Sequence, residues 1–276
     1  MSHDRPREVA FFVREGDALV PTSVARSSWS ASQMHGVAVS GALGRAAERG
    51  FVELGRPDLR PARLVVDLFR PALMAPCLFV TEVVREGNRI CLVDVTLVQD
   101  GRAVARAALT GLAVSATTDG EVWSSPHRPS PPPLHLAPPT DTPHPSYLRS
   151  SGDWTADRTA HQNAAHKMSW NSPPGVVAGE PRTPFQTAAT MADGSNLVVN
   201  WGSLGVEHIN SDVTLSLARL PRGTEVGLSA LDRVESEGIC VGTATMFDRE
   251  GPIGTVVLTA IANALRTVSP SVVLEP

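Results

Sequence analysis

Apolar and polar residues alternate with a period of two over several short runs, the pattern of strands that lay one face on a core. In the first half the runs are Leu64–Arg70, Leu78–Arg85, Ile90–Gln99 and Arg102–Val114, parted by Pro71, Glu86-Gly87-Asn88 and Asp100-Gly101. In the second half they are Ser211–Arg219, Glu225–Glu235, Ile239–Phe247 and Gly254–Ala262, parted by Pro221, Ser236-Glu237-Gly238 and Arg249-Glu250-Gly251. Pro71 and Pro221 lie 150 positions apart, and Ile90-Cys91 and Ile239-Cys240, each just after a Gly-containing turn, lie 149 apart. The chain reads as one domain written twice.

A different period precedes each set of strands. Over Met34–Arg49, residues Val37, Ala38, Gly41, Ala42 and Ala46 form a small-residue helical face able to lie close to a sheet. Its glycines weaken it as a free helix, so packing must hold it. Thr183-Pro184 is an N-cap followed by proline at the first helical position, and the helix it starts runs to about Asp193. One long helix ahead of antiparallel strands, twice over, predicts an α+β fold in which each sheet wraps its own helix. Between the halves nine prolines crowd Pro126 to Pro145, which favours extended chain without ladder hydrogen bonds. The expected division is 1–120, a Pro-rich linker over 121–145, and 146–276.

Composition excludes several classes. A net charge of −4 on 276 residues argues against nucleic acid, which asks for a basic stripe. Lys167 is the only lysine; the arginine bias fits either a phosphate-bearing ligand or a coding preference. No run of about 18 apolar residues occurs, so no membrane span is expected. Met1–Glu8 lacks the apolar core of a signal peptide. Cys77, Cys91 and Cys240 form no CxxC pair, so neither a disulfide framework nor a zinc cage is expected. The chain reads as cytoplasmic and reduced. It has no GxSxG, no HExxH and no phosphate-cradling glycine loop. The histidines in and after the Pro-rich stretch, His161 among them, read as solvated. Aromatic residues are 5% of the chain, giving no basis for an aromatic-lined pocket.

Trp29, then His35-Gly36 and an alanine-rich helix, resembles the opening of the double-hotdog acyl-CoA thioesterases. So do Val66-Asp67-Leu68-Phe69-Arg70-Pro71 and the strand Gly101–Ala107. In the second half the similarity takes in Gly179-Glu180-Pro181, Met191-Ala192-Asp193-Gly194, Ile209–Leu215 and Arg219–Gly223. It covers nearly everything except the linker and a loop-rich stretch around Gly152–Val177. The resemblance implies a double hotdog that cleaves acyl-CoA or acyl-carrier-protein thioesters, as in fatty acid metabolism. It implies no cofactor beyond the coenzyme A of the substrate, no metal, no nucleic-acid or membrane partner, and a homo-oligomer.

In that family an aspartate, a threonine or serine, and a glutamine hold the water that attacks the thioester. Carried over, the aspartate falls on Asp193, whose other reading is a helix cap or breaker. The threonine falls on Asn210, whose amide can still hold a water or carbonyl oxygen. The glutamine falls on Thr259, or one residue away on Leu258, and no Gln or Glu lies in that strand. Thr214, four residues past Asn210, is expected on the same strand face and so in the pocket. His35-Gly36 is expected at the substrate, with His35 either a base or a capping residue. Backbone N–H groups at a helix N-terminus are expected to hold the oxyanion. Two other readings stay open. One is a non-catalytic acyl-thioester binding protein, motivated by the missing glutamine. The other is an enoyl-thioester hydratase using Asp153.

Overall fold

The computed structural model describes residues 9–117, 119–263 and 267–270; Met1–Glu8, where no signal peptide is expected, lies outside them. Strands β1 (Ala10–Glu15) and β2 (Ala18–Pro21) lead to helix α1 (Gly36–Glu53). The first half closes with β3 (Leu59–Asp67), β4 (Leu78–Glu86), β5 (Ile90–Gln99) and β6 (Arg102–Ala113). The second half opens with β7 (His144–Arg149), β8 (Met168–Ser172), β9 (Gly175–Val177), and helices α2 (Pro184–Asp193) and α3 (Ser195–Asn200). Short β10 (Trp201–Gly202) and β11 (Gly205–Val206) precede β12 (His208–Leu217), β13 (Val226–Ser236), β14 (Ile239–Asp248) and β15 (Gly251–Ala262). The repeat seen in the alternation is therefore real in space: β3 to β6 correspond to β12 to β15. Two of the hairpins carry paired left-handed residues, Asp100-Gly101 (φ 48° and 72°) and Glu237-Gly238 (φ 50° and 77°), the backbone that two-residue turns require.

The strand order is β4-β5-β6-β3-β12-β15-β14-β13-β8-β7. The inner edges β3 and β12 pair antiparallel, Val66 opposite Val213 and Leu64 opposite Leu215. The halves thus share one ten-stranded sheet, a double hotdog in which β3–β6 wrap α1 and the strands of the second half wrap α2 and α3, as expected. β1 crosses over to pair in parallel with β9 of the other half. β3 starts earlier than the alternation suggests, because a bulge between Pro61 and Arg63 lets the strand continue along β6.

The small residues of α1 let it lie close to β3–β6, as expected, and also close to α2. A Cβ on Gly44 would stand 2.5 Å from the Ala189 Cβ, and Gly41 abuts the Thr190 hydroxyl. Ser40 Oγ donates to the Ala189 carbonyl at 2.6 Å. The helices run antiparallel, since Glu48, near the C-terminal end of α1, accepts from Thr183 and Gln186 at the start of α2. Gly44→Val must push the helices apart, and it is expected to destabilise the fold by about 1–3 kcal/mol, read as a lower Tm in thermal denaturation.

The Pro-rich stretch is not a free tether. Pro129, Pro132 and Ala137 are buried, and Ala137 joins a cluster with Trp154, Met168, Trp170 and Phe247. Tyr147 donates to the Leu136 carbonyl at 2.9 Å and Arg249 to the Ala137 carbonyl at 2.7 Å. The segment stays extended, as proline dictates, while its carbonyls serve as acceptors for the second half. None of the described helices is long and apolar enough to cross a membrane.

Candidate active site

Antiparallel packing brings the last residue of α2 against the first turn of α1. Thr183 caps α2 by accepting from Gln186 N, with Pro184 in the first turn. Ten residues on, Asp193 ends the helix, 8% exposed, and Gly194 separates it from α3. Asn210 Nδ2 donates to Asp193 Oδ1 at 2.8 Å. Burial raises the Asp193 carboxyl from 3.8 to about 6, and the Asn210 hydrogen bond works in the opposite direction. At neutral pH the group is a carboxylate whose proton affinity suits a general base.

Gly36 stands directly over this carboxylate: any Cβ there would overlap Asp193. His35 is the N-cap of α1. Its Nδ1 accepts from Ala38 N at 3.1 Å, and its Nε2 lies 3.0 Å from the Val24 carbonyl. Nε2 therefore carries the proton, and burial lowers the pKa against the opposing Val24 bond, so the ring is neutral. With both ring nitrogens engaged, His35 is the capping residue and not a base. Among the described residues the amides of Gly36 and Val37 donate to no protein group. They point from a helix N-terminus, where such orphan donors carry partial positive charge.

These groups open into a cavity of 1290 Å³ whose wall includes Val24, His35, Gly36, Asp193, Asn210 and Ile261. Asp193, Asn210, His35 and Gly36 are brought together as expected. Thr214 and Thr259 are not. A bulge at Ser211 separates the pairs Asn210–Ala260 and Asp212–Thr259, and an extra residue reverses the alternation. Before it His208 faces the helices; after it Val213, Leu215 and Leu217 do, and Thr214 turns to the outer face. On β15 the inward residues are Ile253, Val256, Leu258 and Ala260, so Thr259 also points outward. Directly opposite Asn210 stands Ala260, and neither Thr259 nor Leu258 lines the cavity. The last strand supplies no polar side chain to this site.

Several polar wall residues were missed, Asn196, Gln33 and Arg158 among them. Asn196 follows Asp193 by one helical turn, a spacing that could have flagged it; its Nδ2 donates to the His208 carbonyl at 3.1 Å. Gln33 and Arg158 lie in irregular segments, where no periodicity marks a face. Asp153 is exposed and off the wall. His161 is buried, correcting its reading as solvated, with Nδ1 2.9 Å from Ser150 Oγ. The pair a hydratase needs is therefore not assembled in the cavity. The other junction between the helices is filled: Glu48 accepts from Thr183 Oγ1 at 2.9 Å and Gln186 Nε2 at 2.8 Å. No cluster able to hold a metal ion occurs among the described residues.

No curated protein matches the sequence. Similar solved structures include a candidate thioesterase II from Thermobifida fusca, at 18% identity over 94% of this chain and 98% of that one, with a TM-score of 0.66. A hot dog fold protein from Alicyclobacillus acidocaldarius gives 17% identity, 91% and 95% coverage and a TM-score of 0.62. The acyl-CoA thioesterase II TesB2 of Mycobacterium marinum gives 15% identity, 96% coverage of both chains and a TM-score of 0.58. At such identities the likeness establishes the fold. The family rests on sequence: residues 25–115 match the acyl-CoA thioesterase N-terminal domain and residues 120–261 its C-terminal domain. Two matched domains in tandem, across the halves that share the sheet, place this chain in the acyl-CoA thioesterase family.

Proposed function

We propose that the protein hydrolyses acyl-CoA or acyl-carrier-protein thioesters by direct attack of water, with Asp193 as general base. The observation that carries this reading is the buried Asp193–Asn210 pair beneath the open N-terminus of α1, on the wall of a cavity large enough for an acyl thioester. Asn210 holds one carboxylate oxygen and leaves the other to take a proton from water. As the water attacks, the thioester carbonyl oxygen gains negative charge, and the Gly36 and Val37 amides are the fixed donors suited to it. Collapse of the tetrahedral intermediate breaks the C–S bond, the leaving sulfur takes the proton held by Asp193, and the free acid remains. No covalent enzyme intermediate is needed.

Free-thiol release from acyl-CoAs of rising chain length tests this. Activity needs the carboxylate form, so kcat/KM is expected to rise with pH through an apparent pKa near 6 and stay level above it. Asn210→Ala removes the bond that lowers the Asp193 pKa, so the inflection should move upward along with a fall in kcat. A profile that is flat across that range would exclude Asp193 as the base. A second reading, thioester binding without turnover, draws on Ala260 standing opposite Asn210, where the resemblance expects a glutamine nearby. It predicts acyl-CoA binding with no thiol release at any pH.

A further inference from the structure

Arg158 is unlike the other arginines on the cavity wall. Arg26 and Arg70 are exposed and donate to the Ala31 and Ala103 carbonyls at 3.2 and 2.8 Å. Arg158 is partly buried and, among the described residues, its side chain makes no hydrogen bond or ion pair. The wall's two acidic residues do not answer it. Asp193 is tied to Asn210, and Asp157 Oδ1 accepts from Thr159 N at 2.9 Å and Thr159 Oγ1 at 2.6 Å.

The segment that carries Arg158 is anchored on both sides. Thr155 exchanges two backbone hydrogen bonds with Leu148, at 2.8 and 2.9 Å. His161 closes the 3-10 turn Arg158–His161 as a buried ring on Ser150, and Gln162 accepts from Ser269 at 2.6 Å. These anchors hold the segment on the cavity wall, where Arg158 lines the same cavity as Trp29, Leu197, Val206 and Val268. Trp29 and Leu197 pack on the cluster of Leu148, Trp201 and Val206, and Leu148 is the strand partner of Thr155. Burial alone lowers the pKa of Arg158, yet a guanidinium stays charged in proteins. A guanidinium with no protein partner beside apolar walls has its donor fork free for a bidentate, charge-assisted bond, which an incoming anion supplies. A ligand without one leaves the fork unused.

We infer that Arg158 determines specificity by binding an oxyanion that the substrate carries away from its thioester. Resting on the thioester reading above, this leaves two sources for the same chemistry: a carboxylate at the far end of the acyl group, or a phosphate of the carrier arm. The segment belongs to the loop-rich stretch that the sequence motifs skip.

The test uses hydrolysis-resistant thioethers, so that it reads binding and not turnover. Four ligands are compared by calorimetry: an S-octyl group and its ω-carboxyl counterpart, each on coenzyme A and on phosphate-free N-acetylcysteamine. Arg158→Gln is expected to weaken binding about tenfold or more where the oxyanion is present, and Arg158→Lys to restore part of it. Losses confined to the two ω-carboxyl ligands assign the acyl carboxylate; losses confined to the two coenzyme A ligands assign the carrier phosphate. Unchanged affinity for all four overturns the inference. So does equal weakening of all four, which marks a structural role, or failure of the parent protein to bind any of them. Arg158-dependent binding together with no thiol release from acyl-CoAs would sink the hydrolase reading and leave this one standing.

Discussion

Asp193→Asn is expected to abolish thiol release, by about 10²–10⁴-fold in kcat, and at the same time to make the protein more stable near pH 7. The two effects share one cause. Burial lifts the carboxyl from 3.8 to about 6, which means that the folded state holds the proton more tightly than the unfolded chain. The stability that goes with the proton is fully present below the unfolded value. It is lost as pH rises from about 4 through about 6, and above that range the native state carries a buried anion. By linkage the loss is about 3 kcal/mol. Asparagine has nearly the same shape and can still accept from Asn210, yet stays neutral at every pH. The variant should therefore melt higher than the parent at pH 7 and about equally at low pH, where the parent aspartate is protonated. Thermal denaturation across pH, with thiol release measured alongside, reads both halves. A variant that loses activity and stability together would mean that the carboxylate is held by contacts other than those described, and the assignment of Asp193 as a strained base would fail.

Gly36→Ala is the second large effect, produced by a single methyl group. Gly36 has no left-handed backbone, so alanine is conformationally acceptable there; the obstacle is space. The new Cβ would occupy the position of the Asp193 carboxylate. Either the carboxylate swings away and breaks its bond to Asn210, or the helices separate at the junction that Ser40 and Ala189 hold closed. A fall of about 10²-fold in kcat is expected for a displaced base, with about 1–3 kcal/mol lost from stability. KM should change less, because the rest of the cavity wall is untouched. Coupling separates the two routes. If the methyl acts through the carboxylate, Gly36→Ala combined with Asp193→Ala should be no slower than Asp193→Ala alone. Additive losses would show that Gly36 matters for another reason.

Much of the fold was legible before any coordinates. Strand alternation is a local property, so β4, β5, β6, β13 and β14 begin and end within a residue or two of the apolar runs. The repeat was legible because both halves build the same sheet from the same turns. Thr183-Pro184 marked the start of α2 through cap chemistry that is complete within a few residues. The candidate base and Asn210 were found because motif order places them, and the structure brings both to the junction of the helices.

What local patterns do not encode was missed or misplaced. A bulge is one residue that the chain declines to pair. Nothing in Ile209-Asn210-Ser211-Asp212 announces that Ser211 will be skipped, yet that one residue sends Thr214 to the outer face and leaves Ala260 and not Thr259 opposite Asn210. The role of Gly36 depends on which group lies across the helix junction, and that group, Asp193, comes from more than 150 positions away. Arg158 sits in an irregular turn with no period to mark its face. The sequence by itself determined the elements, their duplication and the family, because hydrogen-bond period, turns and caps are short-range. Only the tertiary structure decided which side chains face the cavity, which helix end is left open, and which charge goes unpaired, because register, helix contact and desolvation arise when distant segments meet.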